Sequence, residues 1–280
     1  MKEILAVGFF DGVHLGHRAL LEGATAAFTF LNHPSSVLSP GAAKTLLMDA
    51  DSRIAAIKAC GVRKVWAVPF TGAIASMPPE DFLSGTIEGF PLRAADIRLV
   101  RCGADWRFGR GAAGDAALLR CFVVETQCVP YVFWNGERIS SSRIRASLAE
   151  GDVKAAEAML GRPWTLGGKV VRGKGMGAGI GCPTVNVEPS FDAPLRRGAY
   201  VVEMCGERAV ANFGVAPTFG EKAWRKPVLE VHFLSQGAEL PGPSDRVEAR
   251  FVRFIRPEMK FASPEALARR IAEDAAAASS

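Results

Sequence analysis

The first apolar run of this chain, Ile4–Val7, leads directly into the segment Gly8-Phe9-Phe10-Asp11-Gly12-Val13-His14-Leu15-Gly16-His17. An apolar strand that ends in Gly, Asp and Gly just before a helix is typical of loops whose backbone N–H groups surround a phosphate chain. The segment therefore predicts a strand, a tight loop and a helix start at a nucleotide-binding site. Strand-like residues follow at Ala26–Phe30, which leaves room for a first helix of about two turns.

Two histidines of this segment, His14 and His17, stand three residues apart. On a helix this spacing puts both imidazoles on one side, where they could reach one phosphoryl group and stabilise its developing charge. The alternatives are two surface histidines or half of a metal site, although the chain holds only two other histidines, His33 and His232. The glycines are not spaced as in the Rossmann dinucleotide motif, and no P-loop signature occurs.

The composition describes an ordinary globular chain of 280 residues, 49% hydrophobic and 22% charged, for which two domains are expected. The net charge of +5 suits anionic small molecules, and without a Lys/Arg cluster among aromatics we expect no nucleic-acid partner. The six cysteines form no C-x-x-C pair and are expected to be reduced core residues. Neither a signal peptide nor an apolar run of about 18 residues occurs, so we expect a cytoplasmic protein without membrane contact.

Strands and helices alternate through the first half of the chain, which predicts a parallel, doubly wound α/β sheet. The predicted elements after Phe30 are a helix from Met48 to Gly61, a strand over Lys64–Phe70, a helix from Pro78, and strands over Ile97–Cys102, Phe122–Val124 and Val129–Trp134, the last followed by the turn pair Asn135-Gly136.

Three further loops of this half carry polar or glycine-rich sequences. Asn32-His33-Pro34 follows the second strand, Gly103–Gly109 follows a later one, and Ser140-Ser141-Ser142 heads a helix with Arg145 one turn on. Ligands of open parallel sheets bind at this edge, and hydroxyls with a guanidinium suit phosphate oxygens. Simpler alternatives are a hydrogen-bonded loop histidine, a flexible surface turn and a serine N-cap.

Near residue 162 the sequence changes to glycine-rich turns and short β-type runs, so we predict domains over residues 1–162 and 163–280. Five alternate glycines from Gly173 to Gly181 would allow a backbone flap over phosphates, and Pro183-Thr184-Val185-Asn186 follows it. A strand predicted over Pro227–Leu234 carries Glu230 and His232 on one side. Because an unpaired buried charge is costly, Glu230 is predicted to be functional; the alternative is a solvent-facing strand residue.

Four of these motifs together resemble one family. Phe10–His17 resembles the His-x-Gly-His element of nucleotidyltransferases, and Ile139–Arg145, Pro183–Asn186 and Glu230–His232 resemble later motifs of the bacterial bifunctional riboflavin kinase and FMN adenylyltransferase (FAD synthetase) family. The resemblance implies a Rossmann-like nucleotidyltransferase domain followed by a small antiparallel β-barrel kinase domain. It also implies phosphorylation of riboflavin by ATP to FMN, then adenylylation of FMN to FAD.

The resemblance implies a role for each motif residue. His14 and His17 would be catalytic in adenylyl transfer, and Glu230 would be the base on the riboflavin hydroxyl. Thr184 and Asn186 would hold Mg²⁺. The implied nucleotide- and flavin-binding residues are Gly8, Phe9, Asp11, Gly12, Gly16, His33, Gly103, Asp105, Phe108, Ser141, Ser142, Arg145, Gly173, Gly177, Gly181, Thr184 and Asn186.

The chain also departs from the family pattern. Its first helix is short, and residues usual in the family are replaced at Leu31, Ala112, Arg172, Ala178 and Ala216. Arg110 lies two residues from Ala112 and could supply the missing charge. Two alternatives therefore stay open: an enzyme with one of the two reactions, and a non-catalytic flavin or nucleotide binder. A binder has no need of a kinase base such as Glu230, which favours an enzyme.

Overall fold

The computed structural model of the chain describes residues 2–82, 87, 94–122, 125–171, 183–215, 227–235, 240–259 and 264–279. Its contacts divide the chain into two compact units, Met1–Ser141 and Ser142–Ser280, which are described separately. The predicted flap glycines Gly173, Gly177 and Gly181 lie outside the described residues, as do the family departures at Arg172, Ala178 and Ala216.

Five of the described strands in the first unit form one parallel sheet. They are β1 (Glu3–Val7), β2 (Ala26–Phe30), β3 (Lys64–Val68), β4 (Ile97–Gly103) and β5 (Glu125–Val129). Their order across the sheet is β3-β2-β1-β4-β5, so the chain crosses from one side of β1 to the other after β3. In such sheets ligands bind beyond the carboxyl ends of the strands at the point where the strand order reverses, here between β1 and β4.

Short helices flank this sheet. They are α1 (Leu15–Leu21), α2 (Ser35–Leu38), α3 (Ala50–Ala59), α4 (Gly72–Ser76), α5 (Pro79–Phe82) and α6 (Ala116–Leu119). The 7 residues of α1 confirm a first helix of about two turns. Alternate residues of β1 face opposite sides: Leu5 and Val7 pack in one hydrophobic core, and Ala6 packs in another. Because β1 is buried on both of its faces, its position is rigid, and so is the start of the loop that follows its carboxyl end.

The strand predicted over Val129–Trp134 was wrong. Pro130 has no backbone N–H to continue a ladder, so β5 ends at Val129. A short hairpin follows, made of β6 (Phe133–Trp134) and β7 (Glu137–Arg138). Its turn residues Asn135 and Gly136 have φ angles of 51° and 76°, as the predicted turn pair requires.

Two smaller expectations also need correction. Phe122 lies in a turn rather than in a strand, and residues 123 and 124 lie outside the described residues. The described cysteines are free, but Cys121, Cys128 and Cys205 are exposed, whereas Cys102 is buried. Cys128 lies on β5, at the edge of the sheet, where packing covers less of the strand.

The second unit starts within α7 (Ser141–Glu150) and continues through α8 (Val153–Leu160). Six of its described strands form a closed antiparallel barrel in the order β10-β11-β12-β9-β8-β13. They are β8 (Thr165–Val171), β9 (Thr184–Pro189), β10 (Gly198–Met204), β11 (Glu207–Gly214), β12 (Val228–Phe233) and β13 (Arg246–Pro257), and α9 (Pro264–Ser279) closes the chain. The predicted fold class, an α/β Rossmann-like domain followed by an antiparallel β-barrel, is confirmed.

Helix α9 is fastened to the barrel by a buried ion pair. The Arg256 guanidinium on β13 lies 2.7 Å from the carboxylate of Asp274. Breaking a buried pair of this kind is strongly destabilising, so α9 is a fixed part of the unit. No helix among the residues described here is long and apolar enough to cross a membrane.

Candidate active sites

The loop between β1 and α1 has an unusual backbone conformation. The φ angle is positive at Phe10, Gly12 and Val13, with values of 55°, 84° and 42°. Phe10 and Val13 are 0% and 1% exposed, and the buried Asp11 carboxylate accepts a hydrogen bond from the Leu47 N–H at 2.9 Å. These contacts stabilise a conformation that large side chains rarely adopt, and such strain is typical of ligand sites.

Two glycines of this loop permit close contacts that a larger residue would prevent. A Cβ atom at Gly16 would lie 3.1 Å from the His14 ring, and one at Gly8 would lie 3.2 Å from the Phe10 ring. Both separations are tighter than ordinary van der Waals contact. The positions of the His14 and Phe10 rings therefore require glycine at residues 16 and 8.

The rings of His14 and His17 stack, with 3.6 Å between centroids and 15° between planes. His14 Nδ1 accepts a hydrogen bond from the backbone N–H of His17 at 3.2 Å and so caps α1. Burial, followed by the charge of His14, lowers the pKa of His17 well below 6.5. Within the part of the chain that the structure describes, His17 Nδ1 is buried without a hydrogen-bond partner, so a ligand polar group that reached this atom would remove an energetic cost.

Phe9 and His33 meet at the same edge of the sheet. Their rings are edge to face, with centroids 4.7 Å apart, and the Arg53 guanidinium lies 4.2 Å from the Phe9 ring centre. His33 Nδ1 also accepts from the Ser35 N–H at 3.0 Å. The structure therefore brings two predicted site residues together with a cation that the sequence interpretation missed.

Arg53 is 0% exposed, which is unusual for a cation. Its Nη2 donates to the carbonyl oxygens of Phe30 at 2.6 Å and Leu31 at 2.9 Å, and its Nε and Nη1 have no hydrogen-bond partner among the described residues. The sequence feature that could have predicted this burial is the position of Arg53 four residues before Ile57, which puts both residues on the buried side of α3.

We expect Arg53→Met to lower the free energy of unfolding by about 3 kcal/mol. The change removes the donors of the Phe30 and Leu31 carbonyls and the cation that attracts the buried Asp11 carboxylate. Urea unfolding measures the loss. Lys58→Met, at an exposed position of the same helix, is the matched control, and equal stability of the two variants would contradict a structural role for Arg53.

The predicted loop Gly103–Gly109 follows β4, the neighbour of β1. Asp105 accepts a hydrogen bond from Arg138 Nη2 at 2.7 Å, which ties the loop to the β6-β7 hairpin. The Phe108 ring is 5% exposed and stacks on Trp106 at 4.7 Å. Phe108 therefore supports the loop from the core side, and Trp106 is the ring of the pair that reaches the surface.

The predicted serine motif begins α7. The Ser141 hydroxyl donates to the Asp11 carbonyl oxygen at 2.9 Å, so Ser141 lies beside the loop that carries His14. Ser142 and Arg145 follow on the same helix and belong to the second unit, where Ser142 is exposed and Arg145 is partly exposed.

The second unit places four predicted or noted residues in register on β9 and β12. Glu230 pairs with Asn186, and His232 pairs with Thr184. Since alternate strand residues share a side, these four side chains project together, and we call them the polar face. Thr184 Oγ1 lies 2.9 Å from His232 Nδ1, and Asn212 of β11 is the partner of Glu230 on its other side, a neighbour that the sequence interpretation missed.

The protein surroundings shift the pKa values of the two ionisable groups of the polar face in opposite directions. Burial raises the pKa of Glu230, although 37% of its side chain stays exposed, so its carboxylate is a stronger base than usual. Burial lowers the pKa of His232 to about 4, against the opposing charge of Asp274. The two groups lie 4.0 Å apart, from His232 Nε2 to Glu230 Oε1.

Acidification is expected to destabilise the chain through His232. Its pKa is about 4 in the fold and 6.5 ordinarily, so the unfolded state binds more protons and stability falls as the pH drops through that window. Between about pH 7 and about pH 5 the loss is roughly 2 kcal/mol.

Urea unfolding of the parent and of His232→Asn at both pH values isolates this effect from those of Glu230 and Asp274, two charged groups that act on the ring. The parent should lose the larger amount. An equal loss in both proteins would contradict a buried, neutral His232.

Comparison with known proteins covers both units. A family model described as FAD synthetase matches residues 1–143, and one described as riboflavin kinase matches residues 160–280. The bifunctional riboflavin kinase/FMN adenylyltransferase of Escherichia coli K12 is 33% identical, with 97% of this chain and 90% of that protein covered. The protein of the same name from Bacillus subtilis is 32% identical, with 98% and 90% covered.

A solved structure described as a macrolide-efflux protein from Streptococcus pneumoniae has a TM-score of 0.82 and 27% identity, with 99% of this chain and 94% of that chain covered. That description is of the other protein, and the likeness concerns the fold. The two family matches and the identity to relatives along nearly the whole chain agree with the two units seen in the structure. The chain belongs to the bifunctional riboflavin kinase/FMN adenylyltransferase family.

Proposed function

We propose that this chain catalyses two consecutive transfers, phosphorylation of riboflavin to FMN at the polar face and adenylylation of FMN to FAD at the loop of His14 and His17. The observation that carries the proposal is the side-by-side pairing of Glu230 with Asn186 and of His232 with Thr184. This pairing brings the Glu230 carboxylate, whose pKa is raised, next to the Thr184 and Asn186 side chains, which offer oxygen atoms to a metal ion. A kinase site requires both. The stacked histidines supply the second site.

In the kinase step, the riboflavin 5′-hydroxyl attacks the γ-phosphorus of ATP while Glu230 takes the hydroxyl proton. The bond between the γ-phosphorus and the bridging oxygen breaks, and FMN and ADP result. The Thr184 hydroxyl and the Asn186 amide oxygen are hard donors that fit Mg²⁺, which prefers few protein ligands together with water and phosphate oxygens. When bound, Mg²⁺ neutralises charge on the phosphates.

In the adenylyl step, a phosphate oxygen of FMN attacks the α-phosphorus of ATP, and pyrophosphate leaves. No covalent enzyme intermediate is needed, because positioned donors suffice to stabilise charge on the phosphoryl oxygens. His14 and His17 supply such donors, and Gly8, Gly12 and Gly16 keep the backbone close to the phosphates.

The remaining predicted residues complete the two proposed sites. Phe9, His33 and Asp11 lie at the sheet edge beside the histidines, and the flavin- and nucleotide-binding residues that we propose in the same unit are Gly103, Asp105, Phe108 and Ser141. Ser142 and Arg145, which belong to the second unit, stay proposed nucleotide-binding residues. We propose the functional boundary at residue 162, close to residue 160, where the riboflavin kinase match begins. The compact units of the structure divide earlier, after Ser141.

A single incubation tests this proposal. The pure chain is mixed with riboflavin, ATP and Mg²⁺, and the flavins are separated at successive times. We expect FMN first and FAD later. Formation of FMN alone would contradict the adenylyltransferase site. Formation of FAD from supplied FMN, without FMN from riboflavin, would contradict the kinase site. If neither product formed, the chain would be a binding protein rather than an enzyme.

A further inference from the structure

The imidazole of His232 lies between the two residues that the proposed kinase step needs. Its Nδ1 is 2.9 Å from the Thr184 hydroxyl oxygen, and its Nε2 is 4.0 Å from a carboxylate oxygen of Glu230. The ring is almost completely buried, so it has little freedom to turn away from either neighbour.

The chemistry of the neighbours selects one tautomer. A neutral imidazole carries one proton, on Nδ1 or on Nε2. With the proton on Nδ1, an Nε2 lone pair would lie 4.0 Å from the Glu230 carboxylate oxygen, and two electron-rich atoms at that separation repel each other. With the proton on Nε2, the ring presents an N–H to Glu230, and Nδ1 accepts a hydrogen bond from the Thr184 hydroxyl.

The second arrangement also prepares Thr184 for a cation. A hydroxyl that donates its proton to Nδ1 keeps its oxygen lone pairs for another partner. Histidine and carboxylate groups behind a ligand commonly fix its orientation in this way, and their loss typically costs 10- to 100-fold in affinity or activity.

Resting on the proposed kinase function, we propose that His232 is a positioning residue that orients the Thr184 hydroxyl through Nδ1 and the Glu230 carboxylate through Nε2–H. It touches neither riboflavin nor ATP. The strand register supports this role, because β12 holds His232 opposite Thr184 and two residues from Glu230.

Two substitutions separate the two contacts. Asn carries a polar atom at the distance of Nδ1 along the side chain, so His232→Asn keeps an acceptor for Thr184 and loses the group that faces Glu230. Gln carries a polar atom at the distance of Nε2, so His232→Gln does the reverse. We expect His232→Gln to weaken binding of Mg²⁺–ADP by ~10- to 100-fold and His232→Asn to weaken it by less than ~5-fold.

The test combines calorimetric binding of Mg²⁺–ADP with long-range ¹H–¹⁵N spectra of the full chain, in which only four histidines contribute. The expected spectrum of His232, assigned from its loss in His232→Asn, shows a proton on Nε2 and none on Nδ1, and Thr184→Val should perturb it. A proton on Nδ1, or unchanged binding in His232→Gln, would overturn the proposal.

Far-ultraviolet circular dichroism measures whether each variant keeps the barrel fold, and FAD formation from supplied FMN reports on the other unit. If the parent itself makes no FMN, the kinase function fails, but the tautomer still tests the arrangement around His232.

Discussion

We expect Glu230→Gln to lower the rate of FMN formation from riboflavin by ~10²- to 10⁴-fold, the usual contribution of a positioned general base. The riboflavin hydroxyl is a weak nucleophile near neutral pH, and the amide keeps the shape of the side chain but cannot take the proton. Burial raises the pKa of Glu230, which makes its carboxylate a better proton acceptor than an ordinary one. The measurement is the initial rate with saturating riboflavin, ATP and Mg²⁺.

Glu203→Gln is the matched control for this variant. Glu203 is a partly exposed carboxylate on β10 whose ion pair with Arg250 lies at the surface, where such pairs contribute little. The control should make FMN at the parent rate. FMN formation by Glu230→Gln at close to that rate would show that Glu230 is structural.

The second large effect concerns His17. His17→Ala is expected to slow FAD formation from supplied FMN by ~10²- to 10³-fold, the cost of one donor to a developing negative charge. The hydrogen bond that caps α1 uses the backbone N–H of His17, so alanine leaves the cap intact. The loss therefore reports on the imidazole itself.

Two comparisons make the result specific. FMN formation from riboflavin should be unchanged in His17→Ala, and Arg18→Ala, at the exposed neighbouring position, should leave both rates unchanged. FAD formation by His17→Ala at the parent rate would exclude this loop as the adenylyl-transfer site.

Local sequence patterns were sufficient to predict much of the fold. The alternation of apolar runs with helices predicted the parallel sheet, and the helix predicted from Met48 to Gly61 formed as α3. The hairpin turn at Asn135-Gly136 has the positive φ angles that tight turns need. These features depend on a few neighbouring residues, which is why the sequence alone could predict them.

Features that depend on distant contacts were harder to predict. The sequence placed Glu230 and Thr184 in separate motifs, and only strand pairing sets Thr184 opposite His232. Arg53 depends on carbonyl groups of β2 and its exit, which lie more than 20 residues earlier in the chain. The spacing of His14 and His17 predicted both imidazoles on one side, but the stacking of their rings depends on the conformation of the whole loop.

The most direct test of two separate sites on one chain is complementation between variants. With riboflavin, ATP and Mg²⁺, Glu230→Gln should make almost no FMN or FAD, and His17→Ala should accumulate FMN with little FAD. A mixture of the two should make FAD after a lag, because FMN released by one variant is the substrate of the other. A mixture that makes no more FAD than His17→Ala alone would contradict the assignment of the two reactions to these two sites.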